Sequence, residues 1–155
     1  MEFLAALEDS AFGTWVRQSP SLWAYPTILT LHTVGLSILV GANAAVDLSL
    51  LGGMRGAPLG PLEKLFPVMW FGFWINALSG TALFMADAPD KAIQVTFIIK
   101  MGLVILGMVT IQRLRNSLSG AGAGGTVSRH MRMLAGMSLV FWAGAITAGR
   151  LLAYL

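Results

Sequence analysis

The chain has 155 residues, 56% of them hydrophobic and 11% charged, with no cysteine and a formal net charge of +3. Soluble domains carry roughly 25% charged residues, so this shortage excludes a globule wetted on all sides, and the length suits a single domain over residues 1–155. The missing cysteines exclude disulfides, thiolate metal sites and cysteine nucleophiles, and the basic residues are few and gathered in loops, so nucleic acid is not an expected partner.

The N-terminus opens Met-Glu-Phe-Leu, without a basic region or a small-residue cleavage motif, and is expected to be retained rather than removed as a signal peptide. Within residues 2–17, Leu4, Leu7, Ala11 and Trp15 recur at helical spacing while Glu2, Asp9 and Arg17 fall elsewhere on the wheel. That pattern predicts an amphipathic helix lying on the bilayer surface. Four apolar stretches follow, at 21–52, 65–86, 92–114 and 133–155. Each reaches the ~20 residues needed to cross a hydrocarbon core roughly 30 Å thick. The first is predicted to begin near Pro20 or to restart near Pro26, with Trp23 and Tyr25 at headgroup level. Between the third and fourth stretches, SLSGAGAGGTVSR has the composition of a flexible linker. The predicted fold is all-α: an integral membrane four-helix bundle with an N-terminal interfacial helix.

Orientation follows from the Lys and Arg count. Arg55 and Lys64 in one loop share a side with Arg113, Arg115, Arg129 and Arg132 in another, whereas the opposite side offers Arg17 and Lys91 beside five acids. The positive-inside rule therefore places both termini outside, with a bacterial inner (plasma) membrane as the expected host.

Ionisable groups at mid-membrane cost about 2.5 to 3.5 kcal/mol each and ask for a reason. On the first span His32, Gly35, Leu39, Asn43 and Asp47 make one stripe, which should face protein; Met69, Gly72, Asn76, Ser79, Gly80 and Leu83 make a similar face on the second. Thr96, Lys100 and Gly107 align on the third span, and Gly136, Ala143, Thr147 and Arg150 less regularly on the fourth. His32 lies about six residues beyond Pro26 and Lys100 about eight beyond Ala92, so both sit roughly 9 to 12 Å below the outer surface, and Arg150 approaches the same layer. Cations without buried carboxylates invite an anionic ligand, such as haem propionates or a lipid phosphate. Simpler roles stay open beside this one. Lys100 and Arg150 can snorkel to the headgroups, His32 can bond a facing carbonyl or Asn76, and Asn43 and Asn76 can join helices by hydrogen bonds. Asp47 is expected to pair with Arg113, Arg115, Arg129 or Arg132.

The runs LHTVGLSILVGANAAVDLSLLG, FPVMWFGFWINALSGTALFMAD and FIIKMGLVILGMVTIQRLR resemble an uncharacterised family of small bacterial four-span membrane proteins over nearly the whole chain. More distantly, the chain is similar to the CopD-type copper-resistance membrane domain and to the HemJ-type protoporphyrinogen oxidases. In the latter, a Leu-His near the start of the first span, a glycine about nine residues on and a lysine inside the third span recur, matching Leu31, His32, Gly41 and Lys100. The resemblance implies a four-helix bundle in which His32 is the metal ligand of a haem b and Lys100 lies close to the cofactor or substrate. On that expectation Lys100 and Arg150 stand near the propionates, Gly35, Gly72 and Gly80 leave room for the macrocycle, and Asn76 belongs to the same site. Electron transfer or oxidation of a lipophilic substrate such as quinol would follow. The alternative is a non-enzymatic membrane subunit or small carrier that binds copper, lipid or a partner protein. A homo-oligomer or a larger membrane complex suits both, since four short helices bury little of their own surface.

Overall fold

A computed structural model describes residues 2–21, 23–53, 59–122, 125–152 and 154, which are almost entirely helical and contain no strand. The predicted interfacial helix is two helices, α1 (Glu2–Glu8) and α2 (Ala11–Gln18). Ser10 causes the break. Its Oγ accepts from Gly13 N at 3.1 Å and donates to Leu7 O at 2.7 Å, so it caps α2 instead of continuing α1. Arg17 pairs with Glu8 across the joint. A Cβ on Gly13 would lie 3.1 Å from Met85 O, so α2 rests directly on the end of the second span; Phe3, Phe12 and Trp15 stay exposed, as a headgroup-level surface requires.

Pro26 decides where the first span starts. α3 (Tyr25–Leu48) carries it in the first turn, where its missing N–H costs nothing, so of the two expected starts, near Pro20 and near Pro26, the helix takes the second. α3 ends in a π-helical turn, Ser49–Gly53, in which Gly52 takes φ 111°, a conformation open to glycine. Arg55, assigned by sequence to the following loop, lies outside the described residues. Then come α4 (Gly60–Glu63), α5 (Leu65–Met85), α6 (Ala88–Ile93), α7 (Val95–Ala121) and α8 (Arg129–Leu151). α7 runs past the expected end at Leu114 and takes Arg113 and Arg115 into the helix, while Ser128 Oγ caps α8 by accepting from Met131 N at 3.2 Å. Tyr25–Gly52, Gly60–Met85, Val95–Ala121 and Arg129–Leu151 are each long and apolar enough to cross a membrane.

The bundle is built from two tight pairs, α3 with α5 and α7 with α8, joined chiefly through α3 and α8. Lipid is as apolar as leucine, so close backbone approach rather than water exclusion holds such pairs. At the α3–α5 crossing a Cβ on Gly35 would meet Asn76 N at 2.6 Å, and one on Gly72 would meet Leu39 N at 2.7 Å. In the other pair Gly107 gives Trp142 its place: a Cβ there would lie 2.9 Å from the indole, which is 2% exposed. The stripe expected on the fourth span turns out otherwise. α8 buries Leu134, Ala135, Ser138, Trp142, Ala145 and Ala148, while Ala143, Thr147 and Arg150 are exposed.

Candidate functional site

Four helix ends meet beneath α1 and α2: the starts of α3 and α7 and the finishes of α5 and α8. Between them lies a cavity of about 160 Å³ whose lining includes His32, Gly80, Lys91 and Lys100, with Phe84 and Phe97 on one wall. Each side chain arrives by helical register. His32 follows the proline-defined start of α3 by two turns, Gly80 precedes the end of α5, and Lys100 is in the second turn of α7.

His32 is fixed from α5. Its Nδ1 lies 3.0 Å from the backbone oxygen of Asn76 and 3.3 Å from Ser79 Oγ. A carbonyl only accepts, so Nδ1 carries a hydrogen, and in the neutral imidazole Nε2 keeps its lone pair. Asn76 also donates from Nδ2 to His32 O at 2.9 Å, its better contact, since the same nitrogen stands 3.4 Å from Nε2. The ring packs against Gly80, where a Cβ would come within 2.9 Å of Cε1 and 3.2 Å of Nδ1. Thus the hydrogen bond to Asn76, one of the roles open to His32 in the sequence, is made through Nδ1.

The two lysines differ in their neutralisation. Lys91 Nζ lies 3.5 Å from Asp87 Oδ2 and 3.4 Å from Leu83 O. Lys100 has no carboxylate within ion-pair distance among the described residues, and its tip lies along α8, where a Cβ on Gly149 would be 3.5 Å from Nζ. Phe84 and Phe97 stack across the α5–α7 seam with centroids 5.2 Å apart. A second recess, lined by Arg17, Tyr25, Ala86, Asp87 and Lys91, shares Tyr25 and Lys91 with the cavity and includes Arg17 of α2.

Of the residues singled out by sequence, His32, Lys100 and Gly80 come together, and Asn76 supports His32 from behind. Gly35 and Gly72 do not leave room for a macrocycle, because the backbones of α3 and α5 fill the space beside them. Arg150 is exposed and does not line the cavity, because its register on α8 turns it outward; Lys91 takes the place expected of it. In the sequence Lys91 is only a loop charge, and Gly149 and the phenylalanine pair carry no signal that distinguishes them from ordinary span residues.

At the opposite end of α3, Asp47 does not pair with an arginine. Asn43 Nδ2 donates to Asp47 Oδ2 at 2.6 Å and to Ser138 Oγ at 2.8 Å, and the three residues are at most 1% exposed. Arg113, Arg115, Arg129 and Arg132 lie on exposed faces, out of reach of the inward side of α3. Among the described residues no three His, Asp or Glu side chains gather as a metal cluster. Comparison with family models, curated proteins and solved structures finds no match for the chain.

Proposed function

We propose that this chain is a multi-pass bacterial inner-membrane protein, with both termini outside, that binds haem b at the His32 cavity. The observation that carries this reading is the imidazole of His32, whose Nδ1 is tied to Asn76 O, an arrangement that in the neutral ring leaves the Nε2 lone pair for a ligand. A metal-bound histidine is held in the same way, its remote N–H given to a carbonyl that fixes tautomer and ring orientation. Lys100 and Lys91 offer cations of the kind that propionates take. Bound haem supplies one-electron chemistry, which suits electron transfer or oxidation of a lipophilic substrate such as quinol. The protein's own residues orient the imidazole, hold cationic charge beside it and wall it with apolar side chains.

Volume is the test of fit. At about 160 Å³ the cavity is smaller than the roughly 300–1,000 Å³ of drug-sized ligand sites, so a macrocycle enters only with wall residues such as Phe84 and Phe97 displaced. The same small volume favours a second reading, a carrier or subunit that takes the anionic head of a lipid between Lys91 and Lys100. In each of the four spans 17% to 39% of the most apolar window is enclosed within the chain, which leaves faces for further copies or a larger complex.

A reduced-minus-oxidised visible spectrum of the detergent-purified protein, with pyridine haemochrome quantitation, separates the readings. Haem binding predicts a Soret band that disappears in His32→Ala while the variant keeps its helicity. A colourless wild type from cells supplied with haem rejects haem b, and lipid co-purifying with wild type but depleted in Lys100→Met would then establish the carrier reading.

A further inference from the structure

The polar cluster at the far end of α3 takes no part in the His32 cavity. Asn43 and Asp47 stand one helical turn apart on the buried face, and Ser138 meets them from α8. One nitrogen, Asn43 Nδ2, serves both Asp47 Oδ2 and Ser138 Oγ. Asn43 Oδ1 and Asp47 Oδ1 are left enclosed and without a hydrogen-bond partner, although Asn43 is 1% and Asp47 0% exposed. Orphaned acceptors of this kind are costly in a low-dielectric interior, most of all on a carboxylate.

Among the described residues no cation answers that carboxylate; Arg55, eight residues further along the chain, lies outside them. α5 carries no charged residue, Glu63 and Lys64 before it are exposed, and Arg129, Arg132 and Arg150 on α8 and Arg113 and Arg115 on α7 are exposed too. Lys100 lines the cavity at the other end of the bundle. Beside the cluster α3 ends, and Ser49 N–H is shared between Ala45 O and Val46 O in the three-centre manner common at helix termini.

We propose that Asp47, Asn43 and Ser138 form a binding site for one monovalent metal cation of sodium type. The acceptors on offer, Asp47 Oδ1, Asn43 Oδ1 and the remaining lone pair of Ser138 Oγ, are all hard oxygens, the donor type that alkali and alkaline-earth ions select. One carboxylate balances one positive charge, whereas a divalent ion would leave net charge buried in apolar surroundings. A proton on Asp47 is the competing occupant. It removes the charge and turns Asp47 Oδ1 into a donor able to serve Asn43 Oδ1, whereas a metal ion takes these oxygens as ligands and leaves the carboxylate ionised.

The test compares thermal unfolding of the purified full chain in sodium chloride and in choline chloride at equal ionic strength and fixed pH, alongside a direct sodium NMR titration. The expected result is a saturable rise in Tm with sodium for the wild type. Asp47→Asn, nearly isosteric and relieved of its charge, is expected to fold and to show no sodium response. Ser138→Ala should bind sodium at least threefold more weakly. A wild type indifferent to sodium in both measurements overturns the proposal, and an infrared carboxylic-acid band lost in Asp47→Asn would then assign the site to a proton. An undiminished sodium response in Asp47→Asn overturns it as well. Should that variant fail to fold, the wild-type titration and Ser138→Ala still decide. None of these outcomes depends on haem or lipid at His32.

Discussion

Gly35→Ala and Gly72→Ala should each destabilise the folded bundle by about 1 to 3 kcal/mol, the usual cost of forcing extra carbon into a filled interior. The two glycines answer one another. A Cβ on Gly35 would lie 3.0 Å from Gly72 O, and one on Gly72 would lie 2.9 Å from Gly35 O, so each backbone packs into the gap left by the other's missing side chain. What a new methyl meets first is backbone, at Asn76 N and Leu39 N, with Cγ2 of Ile75 and of Ile38 next at 2.9 Å. The helices must therefore separate. Separation along α3 and α5 also removes weak Cα–H···O attraction of the kind common at membrane helix crossings. Gly41→Ala is the control, because a Cβ there meets nothing within 4 Å. Unfolding in bicelles by steric trapping measures all three. Equal stability of Gly35→Ala and Gly41→Ala would show that the α3–α5 crossing is not held by this contact. If the crossing opens, Asn76 moves with α5, so Gly35→Ala should also loosen the imidazole of His32 and broaden the spectrum of any ligand it holds.

The spans and the buried stripe of α3 were legible in the sequence for physical reasons. Membrane helices must satisfy their own backbones, which makes long apolar runs unambiguous. A polar residue in such a run must turn toward protein, so the alignment of Gly35, Leu39, Asn43 and Asp47 defined the inward face of α3, and all four are buried. α8 was harder to place because small residues surround it. Gly136, Ala143 and Thr147 are as compatible with lipid as with protein, and only the volume of Trp142, seated against Gly107, reveals which side turns inward. Asp47 shows a different limit. Counting charges on one side of a membrane says which groups share a compartment, but pairing depends on rotation about each helix, and the arginines face outward while Asp47 faces in. The break between α1 and α2 follows from Ser10, whose capping bonds compete with the helix ladder at a place where apolar periodicity alone continues smoothly.

Lys100→Met should weaken binding of the cavity's anionic ligand at least tenfold, about 1.4 kcal/mol or more, whereas Arg150→Met leaves it unchanged. Both positions carry one positive charge near the same end of the bundle, so a field set by net charge alone would respond equally to either loss. The geometry separates them. Lys100 lines the cavity without a carboxylate partner among the described residues, so its charge is free to meet an anion in partly apolar surroundings, where charge-assisted hydrogen bonds are strongest. Arg150 is exposed, where water and salt screen it. Lys91 shares its charge with Asp87, so its replacement should fall between the two. Gly149→Leu extends the argument to shape: its side chain would enter the space now held by Cε and Nζ of Lys100, displacing the ammonium without removing it. Titration of the purified protein with haem b, and separately with a short-chain anionic phospholipid, gives the affinities. A loss in Gly149→Leu as large as that in Lys100→Met would show that the position of the charge, and not its presence alone, governs the site. Equal effects of Lys100→Met and Arg150→Met would remove the cavity from the account and leave surface charge as the cause.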